Sequence, residues 1–317
     1  MSDARAPDLF IIGAPKSGTT SLYEYLAGHP QVFMSALKEP FYLCPDVRMG
    51  LHPRLEYPAD EERYLRLFAG AGDAQRVGEA TTRYLVSEEA PRLVRDLAPK
   101  PFVVVSLREP VAMLQALHNE RVANGNEDIV DFEQAINADG DRRLGRTLPP
   151  GANALGAAYR DNARYADLLE RWFGVVGRDR VHVIVFDDLA ADPAAAFRKL
   201  LTFLEVDANY QPPSFAVHNP RHRPRRLVRA IVESSPGRLL TKRLATAVIG
   251  EDRRARLAQR FRQGRFSRQV VAVQPVSASL RRMLEADLAP DVARLSNLLG
   301  RDLSHLWHGR PAQRPDS

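Results

Sequence analysis

The run Phe10-Ile11-Ile12-Gly13-Ala14-Pro15-Lys16-Ser17-Gly18-Thr19-Thr20-Ser21-Leu22 constrains this chain more than any other segment. An apolar stretch stops at Gly-Ala-Pro, and a helical pattern of Leu22, Tyr23 and Leu26 starts a few residues later. The reading is a strand at 9–12, a tight loop and a helix at 20–27. Amides at the start of a helix have no intrahelical acceptor, and the helix dipole adds positive potential there. With the Lys16 charge and the Thr19 and Thr20 hydroxyls, such a loop suits a phosphate-like group.

The pattern further on keeps alternating. A β-branched run at 101–107 reads as a strand buried on both faces, followed by a helix with Pro110 in its first turn. Residues 162–173 are amphipathic, with Tyr165, Leu168, Leu169 and Trp172 on one side. Residues 180–186 read as another buried strand. Asp192-Pro193 then opens a helix carrying Phe197, Leu200, Leu201 and Leu204. A last helix is expected to begin at Pro290 and stop at Gly300, with Trp307 closing the core. The alternation predicts an α/β fold, a P-loop-NTPase-like parallel sheet with helices on both faces. No convincing linker divides the 317 residues. The expectation is one domain with its core at 8–308, a basic, partly helical excursion at 220–275 and a disordered tail at 310–317.

One cysteine, Cys44, rules out an intramolecular disulfide and fits a reducing compartment. Neither a signal-peptide pattern nor an apolar window of ~18 residues is present, so a cytoplasmic protein is expected. The net charge of +6 is unevenly spread: residues 221–268 hold 15 Lys/Arg against three acids. Such a block suits an anionic surface, including a peripheral membrane contact, or is simply solvated. No nucleic-acid-binding motif accompanies it, so a nucleic-acid partner is not expected.

The first loop departs from the nucleotide-hydrolase P-loop G-x-x-x-x-G-K-[ST]. Gly13 and Gly18 have its spacing, but Thr19 stands where the lysine belongs, and the lysine is Lys16. The order Pro-Lys-Ser-Gly-Thr-Thr-Ser-Leu resembles the 5′-phosphosulfate loop of sulfotransferases. Those enzymes take 3′-phosphoadenosine 5′-phosphosulfate (PAPS) as donor and release the bisphosphate PAP. Three further segments carry the likeness. Lys38-Glu39-Pro40-Phe41-Tyr42 looks like the Lys-Glu-Pro-His-Phe segment of the heparan-sulfate-type carbohydrate sulfotransferases and their bacterial relatives. Gly78-Glu79-Ala80-Thr81-Thr82-Arg83-Tyr84 resembles their Gly-Glu-x-(Thr/Ser)-Pro-x-Tyr segment, with Thr82 in place of the proline. Ser106-Leu107-Arg108-Glu109-Pro110-Val111 resembles the strand end that grips the 3′-phosphate.

The resemblance implies a PAPS-dependent sulfotransferase. Lys16, Ser17, Gly18, Thr19 and Thr20 would hold the phosphosulfate, and Arg108 the 3′-phosphate, a fork of donors suited to that group. Glu39 would be the general base, because a hydroxyl is a poor nucleophile until its proton is being removed. His118 is the alternative base, and Lys16 would also stabilise the departing charge. Lys38, Thr81, Arg83 and Tyr84 would face the acceptor, a hydroxyl or amine on a carbohydrate, a lipid-linked or a small molecule. The polar turn at 124–128 would flank it. Three positions depart from the family: Phe41 replaces a histidine, Ala80 stands where some members have lysine, and Ala116 replaces the serine that shares the 3′-phosphate. Arg221, Arg223 and Arg225 are candidates for the family's late basic loop. No metal is expected.

Two other readings use the same residues. In a P-loop kinase or nucleotide hydrolase, Asp187 after the strand at 180–186 would hold magnesium. A non-catalytic protein on the same fold would hold a polyanion with its basic segment. A magnesium requirement favours the first, and absence of PAP binding the second.

Overall fold

Strand β1 (Leu9–Gly13) is buried along its whole length because its side chains serve two cores. Phe10 and Ile12 enter one core and Leu9 and Ile11 the other, as the two-residue period of a strand requires. Strand β4 (Phe102–Leu107) divides likewise, with Val103, Val105 and Leu107 on one side and Phe102 and Val104 on the other. The computed structural model describes residues 5–47, 57–149, 151–215 and 275–308. The basic segment with Arg221, Arg223 and Arg225, and the tail at 310–317, lie outside the described residues.

Three strands complete the sheet: β2 (Val32–Met34), β3 (Arg76–Ala80) and β5 (Val181–Val185). The order is β2-β3-β1-β4-β5 and every pairing is parallel. Helices α1 (Thr19–Ala27), α8 (Phe186–Ala191) and α9 (Pro193–Phe203) cover one face. Helices α3 (Ala90–Leu97), α4 (Pro110–Asn124), α7 (Tyr165–Val176) and α10 (Ala278–Leu299) cover the other. Short helices α2 (Glu61–Arg66), α5 (Phe132–Asn137), α6 (Asp139–Arg143) and α11 (Leu303–His308) fill the periphery. This is the α/β architecture the alternation predicts. Parallel strands put their carboxyl ends on one edge, where open α/β sheets bind ligands.

Three expectations need correction. Pro290 does not open the last helix; it lies inside α10, whose N-cap is Ser277. A proline inside a helix loses a hydrogen bond and crowds the preceding turn, at a cost of roughly 3 kcal/mol. Packing on both sides of the proline outweighs it, through Leu280, Leu284 and Leu288 before and Val292 and Leu295 after. The next residue, Asp291, is buried and caps α7 by accepting from the amides of Ala166 and Asp167. Strand β5 is an edge strand with His182 and Val183 half-buried, and Phe186 belongs to α8. The amphipathic segment becomes helical only at Tyr165, after a 3-10 turn at Arg160–Ala163.

Candidate active site

The loop after β1 is shaped by two glycines that no other residue replaces without strain. Gly18 caps α1 at φ 82°, and a Cβ there would come within 3.1 Å of Leu189 and Phe186. No side chain caps the helix, so its first amides face the loop. Gly13 has φ 146°, and a Cβ there would lie 3.0 Å from Leu85 Cβ and 3.1 Å from the Thr82 carbonyl oxygen. The 3-10 turn Thr82–Leu85 therefore sits directly on the loop. Lys16 itself takes a left-handed conformation, φ 59°.

Neighbouring strands and helices fix the rest of the loop. The Ala14 amide donates to Ser106 O, and the Ser106 hydroxyl donates to Ser17 O at 2.6 Å. Ser17 is fully buried and its hydroxyl donates to Pro15 O. The hydroxyls of Thr19 and Thr20 make no hydrogen bond among the described residues. Arg108, at the end of β4, donates to Lys16 O and lies 5.1 Å above the Phe186 ring. Lys16 Nζ is paired with Glu120 of α4 at 3.1 Å, a partner that the spacing of the sequence did not suggest.

Glu39 comes to the same edge by a strained route. Glu39 and Phe41, on either side of Pro40, have φ of 60° and 57°. A left-handed conformation costs a non-glycine residue about 1–2 kcal/mol, so the surroundings must hold it. They do: the Glu39 amide donates to Ala80 O, and its carboxylate accepts from the Thr82 amide at 3.0 Å and from Lys38 Nζ at 3.1 Å. Arg83 lies over the Phe41 ring at 4.4 Å. Burial pulls the Arg83 guanidinium below its usual range, and the Glu39 charge pulls it back.

Beneath this segment lies a buried carboxyl that was not singled out from the sequence. Glu79 is fully buried and accepts from the hydroxyls of Tyr64, Tyr84 and Thr81 at 2.6–2.7 Å. Burial pushes it up to about 7 against the pull of those donors. Tyr84 OH also accepts from the Leu43 amide, which ties residues 38–43 to β3. Thr81 and Tyr84, expected to face the acceptor, are thus fully buried and brace the scaffold. Lys38 and Arg83 remain beside Glu39.

His118 is also not where an open base would be. It is buried on α4, and Nε2 donates to Ile129 O at 2.8 Å. A carbonyl can only accept, so the proton sits on Nε2, and buried Nδ1 has no partner among the described residues. Burial lowers its proton affinity. Glu127, expected in a polar acceptor-side turn, is buried too, paired with Arg142 at 2.8 Å and accepting from Tyr159 OH. Asp187, the magnesium residue of the kinase reading, accepts from Trp307 Nε1. No helix among the described residues is long and apolar enough to cross a membrane.

The sheet order, the loop after β1 and the residues around it define the sulfotransferase fold. The proteins it resembles in sequence and in structure are sulfotransferases, which supports the PAPS-dependent sulfotransferase family for this chain. In structure it is similar to a sulfotransferase from Alicyclobacillus acidocaldarius, with TM-score 0.67 and 25% identity over 95% of this chain and 98% of that one. In sequence it is similar to mouse bifunctional heparan sulfate N-deacetylase/N-sulfotransferase 4, with 24% identity over 64% of this chain and 23% of that protein. It is likewise similar to mouse carbohydrate sulfotransferase 15, with 26% identity over 63% of this chain and 44% of that protein. The chain thus spans under half the length of either curated relative. No family model matches it.

Proposed function

We propose that this protein transfers the sulfuryl group of PAPS to a hydroxyl or amine, with a carbohydrate as the favoured acceptor. One observation carries the reading: the turn that holds the Glu39 carboxylate rests on Gly13 of the loop that carries Lys16. A carboxylate and an anion-binding loop on one mount are what in-line transfer requires. The residues fit the donor. The amides at the start of α1, with Thr19 and Thr20, suit the phosphosulfate. Arg108, at a strand end beside the loop, suits the 3′-phosphate. Ser17 contributes its backbone, since its hydroxyl is turned inward.

In the reaction Glu39 takes the acceptor proton as the acceptor oxygen or nitrogen bonds to sulfur. The bond from sulfur to the bridging oxygen breaks, and Lys16 stabilises the charge left on PAP. To do so Lys16 leaves Glu120. Lys38 and Arg83 flank the acceptor side. Buried His118 takes no part in the proton transfer. The carbohydrate acceptor is supported by the heparan sulfate and carbohydrate sulfotransferases among the relatives.

Calorimetric titration of the full chain with adenosine 3′,5′-bisphosphate tests the donor site, with ATP plus magnesium as control. The expected result is tight binding of the bisphosphate, lost in Lys16→Ala and Arg108→Ala and not matched by ATP. Binding of ATP alone would turn the assignment to a nucleotide enzyme. Binding of neither would leave a non-catalytic protein on this fold.

A further inference from the structure

We infer that Thr82 aims the Glu39 carboxylate, through a backbone N–H that a proline at this position does not have. The inference rests on the reading of Glu39 as the base. The Thr82 amide donates to Glu39 Oε2 at 3.0 Å, and its hydroxyl lies 3.3 Å from Oε1 and 3.5 Å from Oε2. Lys38 Nζ takes a place on Oε1 at 3.1 Å. A carboxylate offers about four lone-pair sites. These donors fill most of them and leave room for one more, the acceptor O–H or N–H. Thr82 therefore sets which lone pair of Glu39 is free.

The backbone makes this separable from folding. Thr82 is the first residue of the 3-10 turn, and its N–H serves Glu39 alone among the described residues. Amides at that position have no acceptor within the turn, and proline is well accommodated there. Thr81 has φ −135° and ψ 105°, the extended conformation a residue before proline adopts. Thr82→Pro then fits the backbone and deletes one chosen hydrogen bond, together with the hydroxyl. Thr82→Val keeps the amide and loses only the hydroxyl, and Thr82→Ser keeps both. The atoms of the turn nearest Gly13 are the Thr82 carbonyl oxygen and the Leu85 side chain, and all three substitutions keep both.

In the reaction the acceptor O–H or N–H bond breaks toward the free lone pair of Glu39. The new bond to sulfur forms as the bond from sulfur to PAP breaks. Thr82 acts on this only by holding the carboxylate, so it is a positioning residue. Its removal lowers kcat and leaves the donor KM unchanged.

Two measurements on the full chain test it. The first needs no acceptor: hydrogen exchange of the Thr82 amide, followed by NMR in the intact protein and in Glu39→Ala. Slow exchange that becomes fast in Glu39→Ala supports the inference, and equal exchange in both overturns it. The second is sulfuryl transfer from PAPS to N-desulfated heparin as the probe polysaccharide. Thr82→Pro is expected to lose roughly 10- to 100-fold in kcat, the scale on which a misplaced reacting group costs rate. Thr82→Val should fall between, and Thr82→Ser should restore the rate. A Thr82→Pro protein with undiminished kcat overturns the inference. Failure of the function itself appears elsewhere, as absent bisphosphate binding by the intact chain, and leaves the amide measurement to decide the Thr82–Glu39 bond.

Discussion

Lys16 Nζ lies 3.1 Å from Glu120 Oε1, so the charge of the loop after β1 is held by α4. Both side chains are about a third exposed. Such a pair contributes at most ~1 kcal/mol. On the proposed function it competes with the donor for the same ammonium group.

Glu120→Gln is therefore expected to bind adenosine 3′,5′-bisphosphate more tightly, by roughly two- to five-fold, the range that a weak pair allows. Calorimetry with the intact chain and the variant checks this. Weaker binding in the variant would mean that Glu120 holds Lys16 in its working position.

Gly13→Ala addresses the contact between the loop and the Thr82 turn. A methyl group there meets backbone and a Cβ within about 3 Å, at a φ that side chains rarely adopt. We expect a loss on the order of 2 kcal/mol in stability, together with weaker bisphosphate binding. An unchanged urea midpoint would show that the turn moves aside freely.

The buried Glu79 gives stability a pH dependence. Its carboxyl lies near 4.5 in the unfolded chain and is pushed by burial to about 7 in the fold. Between those values the unfolded chain has released a proton that the folded chain keeps. Stability from this group is then greatest below about pH 4.5 and falls as pH rises toward 7, by on the order of 3 kcal/mol. Urea unfolding at pH 5 and pH 7.5 should show a larger drop in the intact protein than in Glu79→Gln. Parallel changes in both would show that Glu79 ionises in the fold as it does in water.

His118 has the opposite sign. Burial lowers its proton affinity, so the unfolded chain binds a proton near 6.5 before the folded chain does. Stability from this group is present above that pH and is lost as pH falls through it. In His118→Gln this loss should disappear from unfolding curves taken at pH 7 and pH 5.5. If instead it persists, the imidazole is not buried neutral.

Much of the fold is legible in local patterns. The runs that became β1 and β4, the proline that opens α4 and the left-handed Gly300 that ends α10 are read from neighbours in sequence. Strand β2 is not: three residues carry too little periodicity, and pairing with β3 makes them a strand. Pro290 misleads for the same reason, since its helix survives on contacts made by residues up to ten positions away.

For the site, the sequence by itself determined the chemistry on offer: a glycine loop with Lys16, an arginine at a strand end and a carboxylate in Lys-Glu-Pro. Residue type and short spacing are local properties, and one chain displays them. Only the tertiary structure decided the company these groups keep. Glu120 meets Lys16 across 104 positions, Thr82 meets Glu39 across 43, and Tyr64 meets Glu79 from a helix that no motif marks. It also turned Thr81, Tyr84 and His118 inward, away from solvent. Burial and hydrogen-bond partnership depend on which distant segments pack together, and local pattern does not encode that.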